Sequence, residues 1–157
     1  MNTNFKISAI TDDYNHLFAL NEQELSSKGM VRMVVDKKPG YPCRISLKDA
    51  EVGEEVILLP FKHHRVNSPY QSSGPIFIRK NAKKLNIDNN VIPKMLLHRL
   101  LSLRIYNKNG IMIDAKIIEG KELKNEIKSI FENRSANYIQ IHNASPGCYN
   151  CQVNRVG

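Results

Sequence analysis

Leu103-Arg104-Ile105-Tyr106-Asn107 and Ile111-Met112-Ile113-Asp114-Ala115-Lys116-Ile117-Ile118 flank the pair Asn109-Gly110, and this stretch decides the fold class. Both flanks are β-rich runs, and turn residues separate them, which is the pattern of a β-hairpin. Asn-Gly suits a type I′ turn, whose twist matches that of paired strands. A two-residue turn predicts the register: Lys108 opposite Ile111, Tyr106 opposite Ile113, Ile105 opposite Asp114 and Arg104 opposite Ala115. The chain is therefore expected to be built on antiparallel pairing.

Working outward, Pro93 suits the first turn of a helix running to Leu101, with Leu96, Leu97, Leu100 and Leu101 on its inner face. After Gly120 the apolar residues Leu123, Ile127, Ile130 and Phe131 recur at helical spacing, predicting a helix over Lys121–Glu132. Tyr138–Asn143 reads as the last strand, with Ile139 and Ile141 inward. Toward the N-terminus, Ile76–Arg79 is a short strand, Lys62–Gly74 a long loop, and Glu55–Phe61 a strand apolar on both faces and hence central. Cys43–Leu47 alternates, with Cys43, Ile45 and Leu47 on one face and Arg44 and Ser46 on the other. Met30–Val35 and Phe5–Ile10 are also β-like. Asp12-Asp13 can cap a helix burying Tyr14, Leu17 and Phe18, and Asn21 with Glu24 forms a capping-box pattern closed by Gly29. The expected fold is α+β: a mostly antiparallel sheet of about six or seven strands with two or three packed helices, in a single domain over residues 1–157.

Composition agrees with an ordinary globular chain: 157 residues, 41% hydrophobic and 24% charged. No apolar run approaches the ~20 residues that span a bilayer, and Met1-Asn2-Thr3-Asn4-Phe5-Lys6 lacks a secretory pattern. A cytoplasmic placement is expected, with no membrane partner. Three cysteines are too few for a disulfide framework and fit a reducing compartment. The formal charge of +8 invites a nucleic-acid reading. However, 15 of the 23 basic residues are lysine and they form no single tract, which favours a solvated basic surface.

Four places can carry chemistry. His142 leaves the polar face of a strand into a Pro-Gly turn, where its imidazole can deprotonate Cys148; the plainer reading is a hydrogen-bonded histidine beside a buried thiol. Cys148 and Cys151 have C-x-x-C spacing, which with His142 gives a partial zinc set, although a single such pair is a weak signal. The Lys62–Pro75 loop offers His63, Ser68, Tyr70, Ser73 and Gly74, and with Arg44 or Arg79 these can hold an anion; the same residues also make ordinary turns. Asp114 sits among Met112, Ile105 and Leu103, a setting for a carboxylic acid or for a simple pair with Arg104 or Lys116. Phosphate-loop, dinucleotide, zincin and nucleophile-elbow motifs are absent, so no cofactor is expected.

Pro39-Gly40-Tyr41-Pro42-Cys43-Arg44-Ile45-Ser46-Leu47-Lys48-Asp49-Ala50, Ser68-Pro69-Tyr70, Ser73-Gly74-Pro75-Ile76-Phe77-Ile78-Arg79 and His142-Asn143-Ala144-Ser145-Pro146-Gly147-Cys148-Tyr149 together resemble one bacterial family, known only as a domain of unknown function. The resemblance runs from about Phe5 to Arg155 and implies one whole-length domain, without an activity. Its matching polar positions are Cys43, Arg44, His63, Ser68, Tyr70, Ser73, Arg79, Asp114, His142, Asn143 and Cys148. Cys151-Gln152 departs from the family pattern of a small residue followed by arginine, which weighs against zinc.

The leading functional expectation is binding or turnover of a small polar, anionic metabolite at a site formed by the Lys62–Pro75 loop and the His142–Cys148 turn. His142 or His63 would serve as acid/base, with Cys148 or Cys43 as the thiol. Arg44, Ser68, Tyr70, Ser73, Gly74, Arg79 and Asn143 would bind the ligand. The alternatives are a non-catalytic protein-interaction module and, third, a weak basic nucleic-acid binder.

Overall fold

Eight antiparallel strands and three α-helices are seen in a computed structural model that describes residues 3–157. The strands divide into two sheets. The larger contains β1 (Asn4–Ser8), β5 (Leu100–Tyr106), β6 (Met112–Glu119), β7 (Tyr138–Asn143) and β8 (Tyr149–Val156), in the order β1-β8-β7-β5-β6. The smaller contains β2 (Val31–Val34), β3 (Glu55–His64) and β4 (Ser72–Arg79), in that order. The α+β class stands, with one strand more than expected and the sheet split in two. The added strand is β8: Cys151-x-Val153 is buried on one face, so this C-terminal stretch alternates as a strand should.

The main core lies between one face of the larger sheet and α3 (Leu123–Ile130). Leu101, Leu103 and Ile105 from β5, Ile139 and Ile141 from β7, and Cys151 and Val153 from β8 meet Leu123, Ile127, Ile130 and Phe131. The helical periodicity predicted all four helix contributions. A second core packs Ile57 and Leu59 of β3 and Ile76 and Ile78 of β4 against Leu17, Phe18 and Leu25. Leu17 and Phe18 lie in a 3-10 helix over Asn15–Ala19, and Leu25 in α1 (Glu22–Ser27). The capping box forms as predicted: Glu24 N donates to Asn21 Oδ1 at 2.8 Å and Asn21 N donates to Glu24 Oε1 at 3.1 Å.

Several expectations change. The helix after Pro93 is only α2 (Lys94–Leu97), because Leu100 and Leu101 pair in β5; Leu97 and Leu100 are exposed. Cross-strand pairing with β6 and β7 outweighed a four-leucine pattern that suits either element. Cys43–Leu47 is a buried turn with isolated bridges and not a strand, held by Leu47 N donating to Cys43 O at 3.0 Å. Cys43 is nonetheless fully buried, as expected. The Lys62–Gly74 loop shrinks to Arg65–Gln71, because β3 and β4 pair further out than their apolar residues extend.

The β5–β6 hairpin is present with a modified turn. Gly110 N donates to Asn107 O at 3.0 Å and Asn107 N to Ile111 O at 2.9 Å. Only Gly110 has a positive φ, 73°, so the loop is one residue longer than a type I′ turn. Ile105 faces Asp114 and Arg104 faces Ala115 as predicted, but a bulge places Tyr106 opposite Met112 instead of Ile113. Asp114 is exposed on the edge strand, and its Oδ1 accepts from Ala115 N, so the expected apolar setting is not formed.

Candidate ligand-binding groove

Alternation in β5, β7 and β8 buries apolar side chains against α3 and turns Ser102, Arg104, Tyr106, Tyr138, Gln140, His142 and Gln152 to the opposite face. The end of β3 packs against that polar face. A bulge in the β3–β4 pairing falls between Lys62 and His64. Bulges re-aim side chains by breaking the strict alternation of a strand. Here two consecutive histidines both reach the larger sheet: His63 contacts Gln140, His142 and Tyr149, and His64 contacts Tyr106 and Tyr138.

The hydrogen bonds set both tautomers. The His64 Nδ1 lies 2.7 Å from Tyr70 O, a carbonyl that can only accept, so Nδ1 carries the proton. Its Nε2 then accepts from the Tyr138 hydroxyl at 2.6 Å. Gln140 Nε2 donates to His63 O at 2.7 Å and to Gln152 Oε1 at 3.2 Å, which leaves Gln140 Oε1 to accept from His63 Nδ1 at 2.8 Å. His63 Nε2 consequently holds a lone pair. Burial lowers the His63 pKa, the Gln140 hydrogen bond opposes this, and Arg104 and His64 lower it further. The imidazole is neutral at physiological pH and able to accept a proton.

Behind His63, at 4.9 Å between ring centroids, stands His142. Its Nδ1 donates to Gly147 O at 2.9 Å, while Nε2 is buried without a partner. Burial drives its pKa from 6.5 to about 3. The folded value is depressed, so the neutral imidazole favours folding fully above pH 6.5, and this stability drains away as pH falls toward 3. At ~1.36 kcal/mol per unit, about 2 kcal/mol is lost by pH 5. Urea midpoints should fall between pH 7 and pH 5, and His142→Gln should flatten that slope; an unchanged slope would show that His142 ionises freely in the fold.

These groups open onto a groove of about 700 Å³ lined by His63, His64, Tyr138, Gln140 and Gln152, with Lys62, Arg65 and Lys108 among its cationic lining residues and no carboxylate. Half-buried Arg104 lies close enough to act on His63 and His142, and has no ion-pair partner among the described residues.

The expected site residues do not gather in one cleft. Ser68 donates to Gly110 O at 2.8 Å and Tyr70 stacks edge-on to Tyr106, both near the Tyr138 end of β7. Asn143, Arg44 and Cys148 lie at its other end, about six residues or ~20 Å away at strand spacing. Ser73 is exposed opposite Lys62, and Gly74 has open space where a Cβ would stand, so it serves no close approach. Arg79 is at the far end of β4, paired with Glu54 at 2.9 Å.

His142 and Cys148 do not form a catalytic pair. His142 Nδ1 is occupied by Gly147 O, and Cys148 Sγ accepts from Asn143 Nδ2 at 3.3 Å. Asn143 follows His142 in the strand and therefore points to the other face. Arg44 is 1% exposed; its Nε donates to Tyr149 O at 2.6 Å and its Nη1 to Pro42 O, so it ties loop to hairpin and meets no ligand. Burial pushes its guanidinium below the ordinary value, and the neighbouring Cys148 thiol works the other way. The zinc set fails as well. Cys151 points into the α3 core, where burial pushes its thiol up to about 12, while His142 is on the opposite face. No cluster of three or more metal-ligating side chains occurs among the described residues.

No ligand-binding or acid/base role was expected of His64, Arg104, Tyr138 or Gln140. Their signal was the polar half of the alternation, Ser102-x-Arg104-x-Tyr106 and Tyr138-x-Gln140-x-His142, which reads as a solvated face until a second sheet is known to cover it.

Residues 40–155 match the model of a family described as "Protein of unknown function (DUF1203)". No curated protein and no solved structure matches the chain. Among the described residues no helix is long and apolar enough to cross a membrane.

Proposed function

The chain belongs to that family of proteins of unknown function, and on that premise we propose that it binds a small anionic metabolite in the β3/β7 groove, with His63 as the acid/base. The observation that carries this reading is the groove's lining: three cations, a neutral imidazole of set tautomer, and no carboxylate. A carboxylate or phosphate entering there meets Lys62, Arg65 and Lys108 and no protein carboxylate, and Arg65 offers a planar donor fork. His63 Nε2 can take a proton from the bound molecule, and burial, helped by the nearby Arg104 charge, holds the imidazole in its basic form beforehand. A cytoplasmic setting suits the three free thiols.

Nuclear magnetic resonance titration with inorganic phosphate and citrate tests the reading. Backbone signals of Lys108 and Gly110 and the His63 ring signals should move together. His63→Gln should weaken binding by about tenfold or more, because Nε2 no longer accepts from the P–OH of phosphate or the hydroxyl of citrate, and a hydrogen bond to a charged group contributes about 1.5–3 kcal/mol. Shifts confined to exposed lysines elsewhere, or binding unaffected by the substitution, would defeat it.

A further inference from the structure

A second cavity, of about 890 Å³ and sharing no lining residue with the His63 groove, lies between the turn at 46–51 and the segment at 85–95. Its size falls within the ~300–1,000 Å³ of small-molecule sites. The wall formed by residues 81–93 has no regular secondary structure, yet it is pinned. Leu85 N donates to Ile45 O at 3.1 Å, Asn90 N to Phe5 O at 2.8 Å, and Phe5 N to Asn90 Oδ1 at 3.0 Å. Pinned in this way, the segment presents Leu85, Ile87, Val91 and Ile92 along the cavity, over a floor of Leu47 and Met95. Val91 is 41% exposed, a large aliphatic side chain left in water.

The polar lining has a definite charge. Asp49 is held by Arg99, Glu51 by Lys38, and Arg79 by Glu54 outside the cavity. Lys48 and Lys94 line it with no ion-pair partner among the described residues. Ser46, also in the lining, is only 6% exposed, and its hydroxyl has no hydrogen-bond partner. A buried hydroxyl without a partner costs free energy, and a bound acceptor recovers it. An apolar trough, two unpaired cations and one unsatisfied donor are complementary to an anion with a single aliphatic tail.

We propose that this cavity binds a free fatty acid, its chain along Leu85, Ile87, Val91 and Ile92 and its carboxylate at Lys48, Lys94 and the Ser46 hydroxyl. Both parts of the ligand are required. The tail covers apolar surface that otherwise stays in water, and the head meets charges that no protein carboxylate neutralises. The site is separate from the His63 groove and does not depend on its ligand.

Dodecanoate, below its micelle concentration, is the probe, titrated into the full chain and followed by amide signals and by displacement of a fluorescent fatty acid. Acetate supplies the head without the tail, and dodecyltrimethylammonium the tail with the opposite charge. Dodecanoate should shift Ser46, Leu85 and Val91 and bind at least about tenfold more tightly than either control. The double substitution Lys48→Glu with Lys94→Glu, at two exposed positions, should weaken it by about tenfold or more. His63→Gln should leave it unchanged. Equal binding of the cationic amphiphile would reduce the cavity to an apolar patch. Equal binding of acetate would reduce it to surface charge. Shifts outside the cavity would place the ligand elsewhere. Each of the three overturns the proposal.

Discussion

Phe131→Ala should destabilise the chain by about 3–5 kcal/mol, the range for truncating a fully buried phenylalanine. Phe131 follows the last turn of α3, is 2% exposed, and completes the helical series begun by Leu123, Ile127 and Ile130. Its loss removes the transfer free energy of the ring and leaves a void that the sheet cannot collapse to fill, because β7 and β8 are fixed by pairing on both sides. A further contact goes with it. The Arg155 guanidinium carbon stands 4.5 Å from the ring centroid, oriented by hydrogen bonds from Nε and Nη2 to Ala136 O. That arginine would lose its aromatic partner while its bonds to the loop remain. Denaturant unfolding measures the effect as a lower midpoint at constant slope. A cost under about 1 kcal/mol would make Phe131 peripheral and the α3 core mispacked.

Gly120→Ala should be nearly as damaging, about 3 kcal/mol or more, for the opposite reason: too much material instead of too little. Gly120 joins β6 to the short turn that starts α3, and its N donates to Arg99 O at 2.8 Å. A Cβ there would stand 1.8 Å from Leu96 O and 3.0 Å from Arg99 O. Both neighbours are backbone, so no rotamer change relieves the overlap. Either the β5–β6 ladder or α2 must move, and each is fastened to the main core. Gly74→Ala is the internal control. Its Cβ would meet nothing within 4 Å, so the change should stay within about 0.5 kcal/mol. Equal midpoints for the two variants would show that the close approach at Gly120 is not maintained in solution.

Much of the fold was legible residue by residue. The α3 stripe, the Asn21–Glu24 capping box and the hairpin across Gly110 each rest on patterns within a few residues, and each is present. Errors arose where two local patterns were compatible with one run of residues. Leu96, Leu97, Leu100 and Leu101 satisfy a helix on one count and the start of a strand on another, and only the availability of β6 and β7 as partners selects the strand. Lys62, His63 and His64 look like a loop because they are polar, yet they continue β3, since a strand facing a polar sheet face needs no apolar side chains.

The candidate site shows the same division. His63 and His142 stood out as imidazoles near turns, and they do meet at 4.9 Å. The spacing of Cys148 and Cys151 suggested a metal set with His142, but Cys151 points into the α3 core and His142 to the opposite face of the sheet, so the set cannot assemble. Arg44 looked like an anion ligand, and burial makes it a tie between two carbonyl oxygens.

By itself the sequence determined the α+β class, the antiparallel pairing and the amphipathic helix, because periodicity and turn chemistry act over neighbouring residues. Only the tertiary structure decided that two sheets form instead of one, and that a bulge turns His63 and His64 together onto Gln140 and Tyr138. The covering of the polar face of β5, β7 and β8 was decided there too. Those outcomes depend on contacts between residues 63 and 140 or 64 and 138, which are distant along the chain and carry no local signature.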